Sequence, residues 1–360
     1  MRKLASVQKV LSVSPIDNAQ NIEKIVVLGW ELVAKKGEFK PGDLVVYVEI
    51  DSVLPERPEF EFMRERKFRV RTIKLRGQVS QGICFPLSIL PPSGNLLKEG
   101  ADVTDMVGVK KYDPQADAEK IVTERRQLIH NKRMDKFFMR YKWYRHFTIQ
   151  PKRLPFPAWI KKTDEDRIQL FPNICQDYAD VVFRATEKVD GQSATYFIIR
   201  NRKRMFWQSR YSFGVCSRNF QLLRPDDSTY WTIAKQLDIK RKMIDYANKH
   251  PEINEMVIQG EIVGQKVQGN KYGLDGLTFF IFNSFINGQY SSKSPVFDDT
   301  FHVKYLGNWT LPETIPEAVE WAKGKSVLAD VPREGVVLRT PDGSLSFKII
   351  NPDFLLKYSE

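Results

Sequence analysis

The sequence predicts an α+β chain of two domains, a small N-terminal β-barrel at about 1–105 and an α+β domain at 160–360, joined by a connector at 106–159. Three observations carry this expectation. The 360 residues exceed the roughly 100–200 of an ordinary single domain. The first 110 residues read as short strands punctuated by turns, whereas those beyond 160 alternate β-rich segments with helix candidates. Between them, from about Val109 to Pro157, the chain turns basic and aromatic and closes with Pro151, Pro155 and Pro157.

In the N-terminal part, Lys40-Pro41-Gly42-Asp43 is a turn signal followed by the β-rich run Leu44 to Ile50. From Lys67 to Arg76 the apolar parity changes. Phe68 and Val70 alternate with Lys67, Arg69 and Arg71, and then Ile73 and Leu75 alternate with Lys74 and Arg76. A one-residue switch implies a bulge or bend near Thr72, the device by which small barrels turn a strand around a corner. Five cations on one hairpin face would suit an OB-like barrel that tracks a phosphate backbone, and would equally suit a solvated strand face.

The connector carries most of the net charge. Lys and Arg number 56 against 44 acids, a formal +12, and between residues 120 and 160 eleven cations stand against only Glu124 and Asp135. Phe137, Phe138, Tyr141, Trp143, Tyr144 and Phe147 are interleaved with them. Cations that neutralise phosphates, beside rings that stack on bases, are what single-stranded or nicked nucleic acid requires. Arg125, Arg126, Lys132 and Arg133 are therefore candidate nucleic-acid contacts. A solvated basic helix is the plainer alternative.

In the second domain, Thr163-Asp164-Glu165-Asp166 is expected to start a helix, with Thr163 as cap and the acids in the first turn. Thr229 to His250 places Ile233, Leu237, Ile244 and Ala247 at helical spacing. Thr314 and Glu317 form a capping-box pattern around Pro316, and Gly324 ends that helix. No run of about 18 apolar residues could span a membrane and no signal-like stretch follows Met1, so an intracellular protein, cytoplasmic or nuclear, is expected. Cys84, Cys175 and Cys216 lack C-x-x-C spacing and the four histidines lack metal-ligand spacing, so neither a disulfide framework nor a zinc site is indicated.

Six short segments in a fixed order are the most informative feature: Lys188-Val189-Asp190-Gly191, Ser217-Arg218-Asn219, Gly260-Glu261, Phe282-Asn283, Glu334-Gly335 and Phe347-Lys348. A K-x-D-G tetrapeptide alone arises readily by chance, so the ordered set is the signal. Nucleotidyl transfer through a covalent lysine requires such a set. A lysine that attacks an α-phosphate must lose its proton although free lysine titrates at about 10.4, so nearby cations or a metal are expected to lower its pKa. Lys188 ends a β-rich stretch before the Asp190-Gly191 turn, where a side chain can project into a cleft. Alternation sets Lys348 with Ser344 and Ser346, opposite Leu345, Phe347 and Ile349. It likewise sets Glu261 with Val257, Gln259 and Val263, opposite Ile258 and Ile262. Leu277 to Ile286 is nearly continuous in apolar residues, the mark of a strand buried on both faces, in which Phe282 could be ordinary core. Gly264 to Lys271 has glycines at P-loop spacing, but Asn270 stands where lysine is required, and the segment reads as a loop.

These segments resemble the motifs of the covalent nucleotidyltransferase superfamily of polynucleotide ligases and messenger RNA capping enzymes, and specifically ATP-dependent RNA ligases. Lys162 to Gln169 also resembles the start of their catalytic domain. The resemblance covers about residue 160 to the end and implies a nucleotidyltransferase (ATP-grasp-like ligase) domain. It implies ATP as cofactor with Mg2+ or Mn2+, and RNA with 3′-OH and 5′-phosphate ends as partner, sealed by a monomer in RNA repair. It also implies roles, residue by residue. Lys188 would be the adenylated nucleophile, in a nucleotide site that includes Glu187, Asp190 and Gly191. Arg218 would contact the nucleotide or the reacting 3′ end, and Glu261 would hold the ribose and stand as a second candidate metal ligand. Phe282 would stack on adenine, Glu334 would help bind the metal and Lys348 would contact the α-phosphate.

Two positions depart from the wider pattern. Asn283 stands where aspartate is frequent, and Ser346 stands where many relatives have the first lysine of a K-x-K motif, so no catalytic role is assigned to Ser346. With twelve residues after Lys348, no C-terminal OB domain is expected, which argues against a capping guanylyltransferase. The N-terminal module instead resembles the OB domain that precedes the catalytic domain in RNA ligase family five. A DNA nick ligase remains open, as does a non-catalytic nucleic-acid-binding protein on a ligase fold. Retention of Lys188, Glu261, Glu334 and Lys348 argues against the latter.

Overall fold

The turn at 40–43 forms as its residues require: Gly42 takes a φ of 96°, and the Asp43 carboxylate accepts the Lys40 amide at 2.8 Å. It delivers Leu44–Val48 into a five-stranded antiparallel sheet in the order Trp30–Lys35, Ile22–Val27, Ala5–Pro15, Leu44–Val48, Ile83–Pro86. This computed structural model describes residues 3–91, 98–112, 123–125, 131–201, 209–223 and 225–358.

The bend expected near Thr72 falls at Arg71. Arg69–Val70 pairs with Ser52–Val53, whereas Thr72–Leu75 forms a separate hairpin with Gln78–Gln81. The five cations do not share one face. Lys67 and Phe68 take positive φ of 51° and 57° where the 3-10 helix Pro58–Arg66 ends, and Arg69 stacks over the Tyr112 ring at 3.8 Å. The core of this module runs from Leu4 to Val109 and also receives Leu355 from the C-terminal helix.

In the connector, Thr123–Arg125 pairs with Ile149–Pro151, and two short helices, Lys132–Phe138 and Lys142–Thr148, lie between them. Asn131 caps the first helix by accepting the Arg133 and Met134 amides. Tyr144 is buried and donates to Asp135 at 2.6 Å, which leaves Phe137, Tyr141 and Trp143 about half exposed beside the cations. Arg153–Pro155 then joins the next domain by pairing with Phe220–Leu222.

That domain is two sheets facing a cleft. The larger is antiparallel, in the order Arg153–Pro155, Phe220–Leu222, Tyr211–Cys216, Gln192–Arg200, Glu255–Gly264, Leu277–Ile286, Gln289–Ser291. Helices Thr229–Gln236 and Ile239–Lys249 cover one face through Ile233, Met243, Ile258 and Ile281. The smaller sheet runs Asp166–Arg167, Ser346–Ile350, Gly335–Arg339, Phe183–Lys188, Tyr305–Trp309, backed by helix Ile315–Ala322, which Thr314 caps at the Glu317 amide. Two expectations are corrected. Thr163 to Asp166 does not start a helix: Asp166–Arg167 pairs in parallel with Phe347–Lys348, and the acids before it are held by distant arginines. Thr229 to His250 is broken in two at Asp238, whose φ is 52°. Among the described residues no helix is long and apolar enough to cross a membrane.

Candidate active site

Lys188 ends its strand opposite Gly335, while Phe183 and Ala185 anchor that strand in the core of the smaller sheet. From there its ammonium donates to Glu334 Oε2 at 2.7 Å. Gly191 closes the turn where a Cβ would lie 2.2 Å from the Ile262 carbonyl oxygen, so only glycine lets the turn press on the larger sheet. Glu261 lies opposite the helix-covered face, as its alternation with Ile258 and Ile262 requires. Lys348 likewise lies opposite the buried Phe347 and Ile349.

Phe282 sits at an irregularity of its strand. Gln259 pairs with Asn283 and Gly260 with Ile281, so Phe282 is the extra residue of a β-bulge. Before the bulge, Phe279 and Ile281 face the helices; beyond it, Ile286 does. Alternation with Ile281 sets Phe282, like Phe280, on the cleft side, where it packs against the cluster of Val189, Val263, Tyr272 and Val303; the bulge shifts the parity of the residues beyond it. Asn283 is buried and donates to Gln259 at 3.0 Å, and Gln259 donates to the Lys161 carbonyl at 2.7 Å.

Lys188, Glu187, Asp190, Gly191, Arg218, Glu261, Phe282, Glu334 and Lys348 all line one cavity of about 340 Å³. Asp51 of the N-terminal module, with Lys111 and Tyr112 at the start of the connector, adds to the same wall. Arg167, buried over Trp30, bonds Asp51 at 2.8 Å and so ties the two domains at the cavity. Of the candidate nucleic-acid contacts, Lys132 and Arg133 are exposed on the connector helix, away from the residues of the cavity wall. Arg125 lies in the Thr123–Arg125 strand, and Arg126 lies outside the described residues.

Cations or a metal are expected beside Lys188, and the side chains that act on it most strongly are carboxylates. Burial pushes its pKa down, but Glu334, Glu261 and Asp190 outweigh burial and hold it above the ordinary lysine range. Burial raises Glu334 against the pull of Lys188, and it pushes Glu261 up to about 8. Lys188 is therefore a paired ammonium in this state. No set of three or more His, Cys, Asp or Glu converges as a metal cage among the described residues. His302 serves the backbone, bonding the Ser294 amide at 2.8 Å and the Asp298 carbonyl at 2.9 Å.

Several partners had no local signal in the sequence. Asp164 accepts from Arg218 at 2.6 Å, and Glu165 accepts from both Arg339 and Ser346. Ser346 thus holds a structural hydrogen bond. These pairs join residues separated by 54 to 181 positions, so helical or strand periodicity cannot reveal them.

An OB-fold domain profile matches residues 4–87, and the RNA ligase family profile matches residues 181–358. None of the curated proteins matches the chain. Among solved structures, an unliganded mutant of the Naegleria gruberi RNA ligase is 30% identical, with 99% of this chain and 98% of that chain covered and a TM-score of 0.76. This chain belongs to the RNA ligase family. The N. gruberi enzyme with pyrophosphate is also 30% identical, covering 100% of this chain and 99% of that one at a TM-score of 0.74. A mutant with AMP and manganese is 29% identical, covering 99% of each at 0.76. In this ligase the N-terminal module is the OB domain and the two-sheet domain is the α+β ligase domain, with the cavity walled by both.

Proposed function

We propose that this ATP-dependent RNA ligase joins 3′-OH and 5′-phosphate RNA ends through AMP carried on Lys188. The observation that carries the reading is the convergence of Lys188, Glu261, Phe282, Glu334 and Lys348 on one cavity. In the first transfer the Lys188 amine, having given up a proton, forms a bond to the ATP α-phosphorus as the bond to pyrophosphate breaks. An oxygen of the RNA 5′-phosphate then bonds to that phosphorus, and Lys188 leaves and regains a proton. Finally the 3′-OH loses its proton, bonds to the 5′-phosphorus and displaces AMP. Lys348 faces the negative charge that builds on the phosphoryl oxygens, and Phe282 offers a ring for the base.

Mg2+ is ordinarily held by one or two carboxylates together with substrate phosphates and water, so Glu334 and Glu261, crowded in one wall, fit such a cation. That N. gruberi RNA ligase mutants are solved with ATP or AMP and manganese supports a nucleotide and a divalent cation as the cofactors. When bound, the cation would neutralise charge at the transferring phosphoryl group. Glu187 supports ATP as donor: its Oε1 is buried without a partner among the described residues and can accept from an adenine amino group. The OB domain and the connector hold the RNA, through Arg125, Arg126, Lys132 and Arg133 with the exposed Phe137, Tyr141 and Trp143. The ligase acts as a monomer inside the cell on nicked or broken RNA in repair.

The test is transfer of label from α-labelled ATP to protein with Mg2+ or Mn2+, followed by sealing of nicked RNA. Wild type should retain label after denaturation and Lys188→Ala should not; equal labelling of both would overturn the assignment. A pre-adenylated all-DNA nick sealed as fast as one with RNA at its 3′ end would make this a DNA ligase, because the 2′-hydroxyl is the discriminating group.

A further inference from the structure

Asp190, the third residue of the nucleophile motif, is gripped by the loop after Gly264. Lys271 Nζ lies 2.6 Å from Asp190 Oδ2, and the Tyr272 hydroxyl accepts the Asp190 amide at 2.8 Å. The loop is built to present these two side chains. Asn270 takes a φ of 50° and closes the loop on Leu274, accepting its amide at 3.0 Å and donating to its carbonyl at 3.1 Å. Lys271 is gripped in turn: its ammonium lies 5.1 Å from the Phe354 ring and 5.3 Å from the Tyr358 ring, both on the C-terminal helix Pro352–Tyr358. Leu355 of that helix packs into the OB-domain core.

We propose that Lys271 is a positioning residue for AMP transfer to Lys188: with Tyr272 it fixes the turn that aims the lysine, and the C-terminal helix fixes Lys271. The reading of Lys188 as the AMP carrier underlies this step. Asp190 stands two residues from Lys188 and shares the cavity wall with Glu261 and Glu334, two further acids. An unpaired Asp190 carboxylate would be repelled by Glu334 and crowded by Glu261, and the turn would swing with it. Lys271 neutralises that repulsion while Tyr272 holds the backbone, so side chain and main chain of one residue are restrained together. The aromatic pair then makes the aim depend on the same helix that touches the OB domain.

The test uses the full chain with Lys271→Met, which keeps length and apolar bulk without charge, and Lys271→Arg, which keeps both the ion pair and the ring contacts. Misplacing a reacting group by about an ångström costs on the order of 100-fold, so Lys271→Met should lower kcat for protein labelling by about 10–100-fold. KM for ATP should hardly change, because Lys271 contacts neither the base pocket nor Lys348. Lys271→Arg should restore most of the rate. Sealing of 5′-adenylated RNA, which needs no lysine adduct, should fall much less than labelling. Labelling by Lys271→Met at the wild-type rate overturns the proposal. So does equal loss of labelling and sealing at unchanged melting temperature, which would mean that Lys271 supports the cleft as a whole. Absence of any adduct in wild type would instead refute the reading of Lys188 itself.

Discussion

Replacing Glu187 by glutamine is expected to shift the base preference of the ligase from adenine toward guanine. Glu187 is 1% exposed; its Oε2 accepts the Val327 amide at 3.1 Å, and its Oε1 has no partner among the described residues. Glu187 and Phe282 line the same cavity, and Leu328, next to Val327, packs against the same apolar cluster as Phe282, so a base laid on Phe282 is expected to bring its edge toward Oε1. Adenine presents an amino donor at that edge, whereas guanine presents a carbonyl. In Glu187→Gln the Val327 amide still needs an acceptor, which holds the new amide oxygen in the place of Oε2 and puts the NH2 group in the place of Oε1. The acceptor becomes a donor. A hydrogen bond to a charged acceptor contributes about 1.5–3 kcal/mol, and a buried donor left facing another donor costs about 1–3 kcal/mol more. Together these come to about 2.5–6 kcal/mol, so at about 1.4 kcal/mol per tenfold the ATP-to-GTP ratio of kcat/KM should fall by at least roughly 60-fold. Initial rates of protein labelling from α-labelled ATP and GTP measure it. An unchanged ratio in a folded Glu187→Gln protein would refute the placement of Oε1 at the base edge.

Phe282→Leu should raise KM for ATP by the worth of a base stack, about 1–3 kcal/mol, while Glu334→Ala and Lys348→Ala should lower kcat for labelling by more, since they act on charge at phosphorus. Steady-state labelling separates the two effects; normal labelling by folded Glu334→Ala and Lys348→Ala would dismiss the phosphate roles. Neutralising Arg125, Arg126, Lys132 and Arg133 together should weaken sealing of pre-adenylated RNA more than adenylation, with a salt slope shallower by about 0.7 for each phosphate that no longer meets a cation. Titrating RNA at several salt concentrations checks this, and an unchanged slope would place the RNA elsewhere.

Much of the site could be read from local pattern because its carriers sit on strands, where a period of two assigns each side chain to a face. Glu261 and Lys348 needed nothing more than the parity of Ile258, Ile262, Phe347 and Ile349. In the strand of Phe282 the nearly continuous apolar run hides which face each residue takes, and it also conceals the bulge, which adds one residue without any glycine or proline to announce it and shifts the parity beyond it. The acids at 164–166 carry a helix-start signature, but Arg218 and Arg339 offer them charged partners across the cleft, and the parallel pairing with Phe347 and Lys348 holds the backbone extended. The tertiary ion pairs outweigh a capping preference of about 1 kcal/mol. The lowered pKa expected for Lys188 called for nearby cations or a metal, and the chain alone places carboxylates there, the groups that would hold a metal.

Those carboxylates make the reactivity of Lys188 conditional. An ammonium has no lone pair to offer phosphorus, and Glu334, Glu261 and Asp190 together hold Lys188 as an ammonium despite its burial. Five acids of the cleft have a cation of their own: Asp51 with Arg167, Asp164 with Arg218, Glu165 with Arg339, Asp190 with Lys271, and Glu334 with Lys188 itself. Glu261 has no ion pair among the described residues, and burial pushes its carboxyl up to about 8. The grouping is therefore satisfied and unreactive as it stands. To free the amine, whatever enters must draw Glu334 away from Lys188 while leaving Asp190 on Lys271, or the turn that aims the nucleophile would loosen as the nucleophile is released. That requirement separates the roles of the two lysine–carboxylate pairs, 2.7 Å and 2.6 Å long in the same wall: the first has to break for chemistry, and the second has to survive it.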